Sequence, residues 1–214
     1  MGRPAAFREP DVLTHAMMVF WQHGYTGTGV RDLEKATGLT ASSLYNRFGS
    51  KQILFLAALD HYINKVVEHR ISRYLRSDDP VTGLTRFFET TWDYIDDQRA
   101  PMACLLSNSA LEFAGDRGPV QRHIRAGLSR LEDAFTDCLE RACDQGALSA
   151  GSNTRFWAQH LLLCLQGLLV ASTVAEDRLS LAQHTRSLLG ALPWANDSWI
   201  KTQEITDGRT AHTG

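Results

Sequence analysis

The chain has 214 residues, 43% of them hydrophobic and 21% charged, which is enough to bury an apolar core and excludes wholesale disorder. Lys plus Arg number 22 against 24 Asp plus Glu, a net charge of −2, so a uniformly basic nucleic-acid coat is excluded while a local basic face is not. With six prolines and almost no β-branched alternation, a sandwich or barrel is disfavoured and an all-α fold expected.

From Glu9 to His23, Val12, Leu13, Ala16, Met17, Phe20 and Trp21 recur at helical spacing and build one apolar stripe, with Gly24 at the left-handed stop position. A short helix follows over about Gly29 to Thr37, ended by Gly38, and Thr40 caps a third over Thr40 to Phe48. Ser50 caps a long fourth helix reaching roughly Arg76, with Ile53, Leu54, Ala57, Ala58 and Tyr62 on its inner side. Beyond Asp78-Asp79-Pro80, helices are expected near Val81–Asp97, Met102–Ala114, Pro119–Gln145, Asn153–Ala175 and Leu179–Leu192. That makes about nine helices: three form a small N-terminal domain, and the fourth joins it to a C-terminal bundle. The polar tail 196–214 has no sustained apolar period and is expected to be loose.

Four cysteines, Cys104, Cys138, Cys143 and Cys164, form no C-x-x-C pair and fit reduced thiols in a cytoplasmic protein. The first residues lack an apolar run of signal-peptide length. The most apolar stretch, Leu161 to Ala171, is eleven residues long and holds Gln166, too short to span a bilayer. No G-x-S-x-G, G-x-x-x-x-G-K-[ST] or H-E-x-x-H motif is present, so neither an enzyme nor a cofactor is expected.

Two short helices joined by Thr37-Gly38-Leu39-Thr40 have the plan of a helix-turn-helix. Leu33, Leu39 and Leu44 pack them on the Val12-Ala16-Phe20 stripe, leaving Ala41, Ser42, Ser43, Asn46 and Arg47 outward. A small polar face of that kind can press close to a major-groove wall. Residues 1–51 carry six basic and four acidic side chains, the remainder 16 and 20, a mild asymmetry in the direction of an N-terminal polyanion contact.

The pattern Thr28-x3-Asp32-Leu33-x4-Gly38-Leu39-x4-Leu44-Tyr45-x2-Phe48-x2-Lys51, preceded by Phe20-x3-Gly24-Tyr25, resembles the DNA-binding domain of the TetR family of bacterial transcriptional regulators. The resemblance implies a DNA-binding domain over 6–66 with its motif at about 29–48, and a ligand-binding and dimerisation domain over 67–195. It also implies a homodimeric repressor released from a pseudo-palindromic operator by an unidentified small molecule. By position it gives Thr28 a phosphate contact, makes Thr40, Ala41, Ser42, Ser43, Tyr45 and Asn46 the recognition helix, and makes Lys51 a phosphate clamp. Arg3, in the Gly-Arg-Pro arm, is placed to enter a minor groove. Three positions depart from the family pattern. Glu34 replaces the usual alanine and is expected to loosen packing, Ala41 replaces a common basic residue, and Gly29 replaces the usual serine cap, leaving either Thr28 or Gly29 to start the second helix. These departures imply a shallow salt dependence. They also support an alternative, a helical small-molecule-binding or interaction protein that has lost DNA binding.

The segment Met102-Ala103-Cys104-Leu105-Leu106-Ser107-Asn108 resembles a subgroup of the same family, with the Cys-Leu-Leu-x-Asn segment in a sixth helix near the effector cavity. Candidate pocket residues are Phe88, Trp92, Cys104, Phe113, His160 and Cys164. For Cys104 the choice is between a sensor thiol and a small buried hydrophobe, and the latter is favoured because no Lys, Arg or His lies within one helical turn. His160 and Cys164, four apart on one face, supply only two metal ligands, so no metal site is expected. The Leu161–Ala171 helix and the one holding Leu188, Leu189 and Leu192 are expected to build a two-fold four-helix interface.

Overall fold

The computed structural model describes residues 8–91, 103–175 and 178–195. Arg3, Trp92, the breaker Ala100-Pro101 and the tail 196–214 lie outside the described residues. Nine helices are described: α1 (Glu9–Gly27), α2 (Val30–Thr37), α3 (Ala41–Phe48), α4 (51–75), α5 (Pro80–Glu89), α6 (Leu105–Glu112), α7 (Pro119–Asp144), α8 (Thr154–Ser172) and α9 (Arg178–Gly190). Among the described residues the one β feature is an isolated antiparallel bridge between Leu148 and Trp194, fastened by the Ser149 N–H to the Pro193 carbonyl at 2.9 Å.

The chain divides into two compact units. The first holds residues 8–68 and 103–128; the second holds 69–91, 129–175 and 178–195. In this division α6 and the first part of α7 belong to the first unit. The reason is aromatic. Phe113, just past α6, stacks on Phe55 at 5.8 Å and meets Tyr25 at 5.2 Å, while Phe55 meets Phe20 edge-on at 4.9 Å. The Trp21 indole N–H donates to the Ala103 carbonyl at 2.6 Å, tying α1 to the residues before α6. Around this cluster Val12, Ala16, Leu33, Leu44, Leu54, Ala58 and Leu59 are buried, each large aliphatic or aromatic side chain contributing about 1.5–3 kcal/mol of transfer free energy.

The helix α4 is not uniform. It runs as α-helix over Lys51–Tyr62, as π-helix over Ile63–Val67, and as π-helix again over Ile71–Leu75, separated by the turn Glu68–Arg70. The sequence explains why. Leu59, Ile63, Val67, Ile71 and Leu75 are all buried and recur every four residues. In an α-helix of 3.6 residues per turn, such a stripe drifts by about 40° per repeat, and over four repeats its last member would face solvent. Each π segment fits more residues into a turn and takes out that drift.

In the second unit, Phe87 and Phe88 of α5 meet Phe135 of α7 at 5.3 and 5.8 Å, and Leu131, Leu139, Leu161 and Leu165 are also buried. The α5 helix lies so close to the end of α4 that a Cβ at Gly83 would come within 2.2 Å of the Tyr74 carbonyl oxygen. Two arginines satisfy helix-end carbonyls there. Arg70 donates to the Phe87 and Thr90 carbonyls, and Arg141 donates to those of Leu75 and Ser77. No described helix is long and apolar enough to cross a membrane.

Candidate nucleic-acid interface

The first unit presents α3 as follows. Leu44 and Phe48, four residues apart on one face, are its buried residues, and α3 packs on α2 and α4. Thr40, Ser42, Ser43, Asn46 and Arg47 are exposed, and Ala41 and Tyr45 are half-buried. The turn before it depends on Gly38, whose φ of 70° lets its N–H return to the Glu34 carbonyl at 2.9 Å. Thr40 occupies the cap position and accepts the Ser43 N–H at 3.3 Å.

Three contacts at this site have no sequence precedent in the spacing rules. Glu34 Oε1 accepts the N–H of Ala41, the first residue of α3, at 2.7 Å. The departure expected to loosen packing instead ties α2 to the start of α3. Arg47 at the far end of α3 pairs with Glu9 at 2.5 Å, both partners about half exposed. Glu112, at the end of α6, accepts the backbone N–H of Tyr25 at 2.8 Å and of Thr26 at 2.5 Å. These amides follow Gly24, where φ is 71° and the α1 ladder is interrupted, so a distant carboxylate serves as the missing cap. Burial by itself would raise the Glu112 pKa, but the Thr26 and Tyr25 amides and the Lys51 charge outweigh it and hold the carboxyl below its ordinary range.

Lys51 starts α4, with its Nζ 4.6 Å from the centre of the Tyr25 ring. Thr28 is placed differently from a surface phosphate contact. It is 2% exposed, and its hydroxyl donates to the Gly24 carbonyl at 2.6 Å, bracing the bend between α1 and α2. Gly29 rather than Thr28 caps α2, with Asp32 reaching back to accept the Gly29 N–H at 2.8 Å.

The candidate pocket residues that are described divide between the two units. Phe113 belongs to the aromatic core of the first unit and Phe88 to that of the second, each fixed by the ring contacts above. Cys104 is buried in the first unit, where it accepts the Tyr62 hydroxyl at 3.5 Å. His160 and Cys164 do meet on α8, with 3.6 Å between Nε2 and Sγ, and Trp157 packs edge-on against the His160 ring. Burial pushes the Cys164 thiol up, and does so more strongly for Cys138, to about 12. Among the described residues no group of three or more His, Cys, Asp or Glu is arranged to hold a metal ion. A shallow cavity of about 300 Å³ lies between α8 and α9, lined by Gly167, Leu168, Ala171, Leu181 and His184 among others. On α8 and the turn after it, Phe156, Leu163, Val170 and Val174 are each more than half exposed and fall on one stripe.

Two family descriptions match the chain. Residues 12–58 match "Bacterial regulatory proteins, tetR family", and residues 80–188 match "Tetracyclin repressor-like, C-terminal domain". The HTH-type transcriptional repressor ComR of Escherichia coli is 27% identical over 193 residues, covering 90% of this chain and 92% of that one. The uncharacterized HTH-type transcriptional regulator YezE of Bacillus subtilis is 30% identical over 194 residues, covering 90% and 100%. Among solved structures, a cysteine mutant of the TetR family transcriptional regulator CifR, complexed with 26bp double-strand operator DNA, superimposes with a TM-score of 0.77. It has 28% identity and covers 90% of this chain and 100% of that one.

Proposed function

The chain belongs to the TetR family of bacterial transcriptional regulators, and from that premise we propose that it is a homodimeric, ligand-responsive repressor acting on a pseudo-palindromic operator. The observation that carries this reading is the polar face of α3, held outward on a buried Leu44–Phe48 seam. Ser42, Ser43 and Asn46 then read base edges in the major groove. Tyr45, half-buried, lays its ring on the unit and offers its hydroxyl to a phosphate. Thr40 and the half-buried Ala41 lie at the wall of the groove, and Lys51 adds the positive charge of a phosphate contact. Arg3 supplies the minor-groove arm. The bound relative CifR and the repressor ComR support the operator and the sign of regulation.

The second copy pairs through α8 and α9. Phe156, Leu163, Val170 and Val174 form an apolar stripe more exposed than a monomer needs, and Gly167 and Ala171 within it let two backbones approach closely. The effector binds in the C-terminal half, acting by differential affinity for two arrangements of the chain. The helix α4, which contributes residues to both compact units, is the element such a ligand would bias. The protein works by binding rather than catalysis, in the cytoplasm, where the chromosome lies.

The test is fluorescence anisotropy with a duplex from the gene's own upstream region against a random duplex of equal length. Saturable binding with at least a hundredfold preference for the upstream duplex supports the reading, and equal affinity for both contradicts it. The rival, a helical ligand-binding protein without DNA function, draws support from the Glu34 and Glu9 carboxylates beside α3. It predicts no duplex binding at all.

A further inference from the structure

The first amide of a recognition helix is a place where a DNA phosphate can be received, because the N–H points outward and the helix dipole favours an anion there. In this protein the place is occupied from within. Glu34 Oε1 sits 2.7 Å from the Ala41 nitrogen, and Thr40 Oγ1 takes the Ser43 N–H two residues on. The carboxylate comes from α2, so the bond also fixes how α3 leaves the turn: α2, Gly38 and α3 are closed into a ring by a charged hydrogen bond in addition to the packing of Leu33 and Leu44. Glu34 on α2 contributes a negative charge next to the groove-facing end of α3, and Arg47, the charged side chain of α3 itself, is paired with Glu9.

We propose that Glu34 is an internal stand-in for phosphate, a specificity-determining residue that sets the pitch of α3 and lowers its attraction for the DNA backbone. It thereby makes binding depend more on base contacts than on charge. The inference rests on the DNA-binding reading above and adds to it a residue that touches neither base nor phosphate. It follows from the division of labour in such complexes: backbone contacts supply affinity without sequence information, so a protein that forgoes one draws a larger share of its affinity from base contacts while the ratio between duplexes is set by the geometry of α3.

Two variants separate the parts. Glu34→Gln keeps an oxygen able to accept the Ala41 N–H and removes only the charge. Its affinity for upstream and random duplexes should rise alike, by roughly fivefold per recognition helix, and its salt dependence should steepen, with the ratio between the two duplexes unchanged. Glu34→Ala removes charge and acceptor together, so random-duplex affinity should rise while the preference for the upstream duplex falls by about tenfold or more. A purely structural cap would leave the salt dependence of Glu34→Gln at the wild-type value. That result, or weaker binding by Glu34→Gln to random DNA, overturns the inference while the DNA-binding reading stands. If the wild-type full chain binds neither duplex, the DNA-binding reading fails and this inference fails with it.

Discussion

Glu112 and Tyr25, 87 positions apart, are joined by a 2.8 Å hydrogen bond from the Tyr25 backbone N–H to the Glu112 carboxylate. The other carboxylate oxygen takes the Thr26 N–H, and Lys51 Nζ lies over the Tyr25 ring, 4.6 Å from its centre. Gly24 permits the arrangement twice over. Its φ of 71° turns the two amides outward, and a Cβ there would sit 3.1 Å from Glu112 Oε2. The bend that delivers α2 and α3 to their positions thus depends on a side chain from α6.

Replacing Glu112 by Ala should lower stability by about 1 kcal/mol, a figure reduced from that of a buried charged hydrogen bond because the carboxylate is well exposed. The pH dependence has a definite sign. A carboxyl whose pKa is depressed on folding contributes stability that is present above its unfolded value of 4.5 and lost as pH falls through the lower folded value. Urea unfolding of wild type and Glu112→Ala at pH 7 and at about pH 3 should show the difference at pH 7 and a smaller one in acid.

Gly83→Ala runs against helix propensity. In an open helix the change would stabilise by up to about 1 kcal/mol. Here the new Cβ would lie 2.2 Å from the backbone oxygen of Tyr74, which cannot rotate away. The expected outcome is a net loss of about 2 kcal/mol, seen as a drop in Tm of several degrees.

Leu163→Glu places a charge in the centre of the exposed apolar stripe of α8. It should convert a dimer to monomers at micromolar concentration with helicity retained, as read by sedimentation velocity and circular dichroism. An unchanged dimer would move the interface elsewhere.

Asn46→Ala should weaken binding to the upstream duplex by about tenfold while affinity for random DNA is unchanged. Lys51→Ala should weaken both and flatten the salt dependence by about 0.9 per subunit. Titrations at several salt concentrations distinguish the two patterns.

The helices were legible because their signals are local. Gly24, Gly38, Thr40 and Ser50 mark starts and stops through backbone geometry that the residue type itself imposes, and the buried positions of α1 and α3 follow from helical spacing. The π segments of α4 were visible in principle in the four-residue recurrence of Leu59 to Leu75, yet a stripe of that kind is easily taken for ordinary α-helix. What sequence could not reveal were side chains acting far from their own position. Glu34 reads as a misfit in α2 until its bond to Ala41 is seen, and nothing in the spacing around Glu112 points to its bond with Tyr25. Thr28 was assigned a surface role by position, whereas its burial depends on how the α1–α2 bend packs. For Phe88 and Phe113 aromatic spacing says only that they are buried, and tertiary packing decides against which rings.

The account stands on α3 of two paired copies meeting one duplex. Analytical ultracentrifugation of the full chain with a labelled duplex from its upstream region tests this most directly. The account predicts a saturable complex of an even number of chains per duplex that random DNA of equal length does not form at the same concentration. A chain that sediments apart from the upstream duplex, or that coats both duplexes equally, would contradict it.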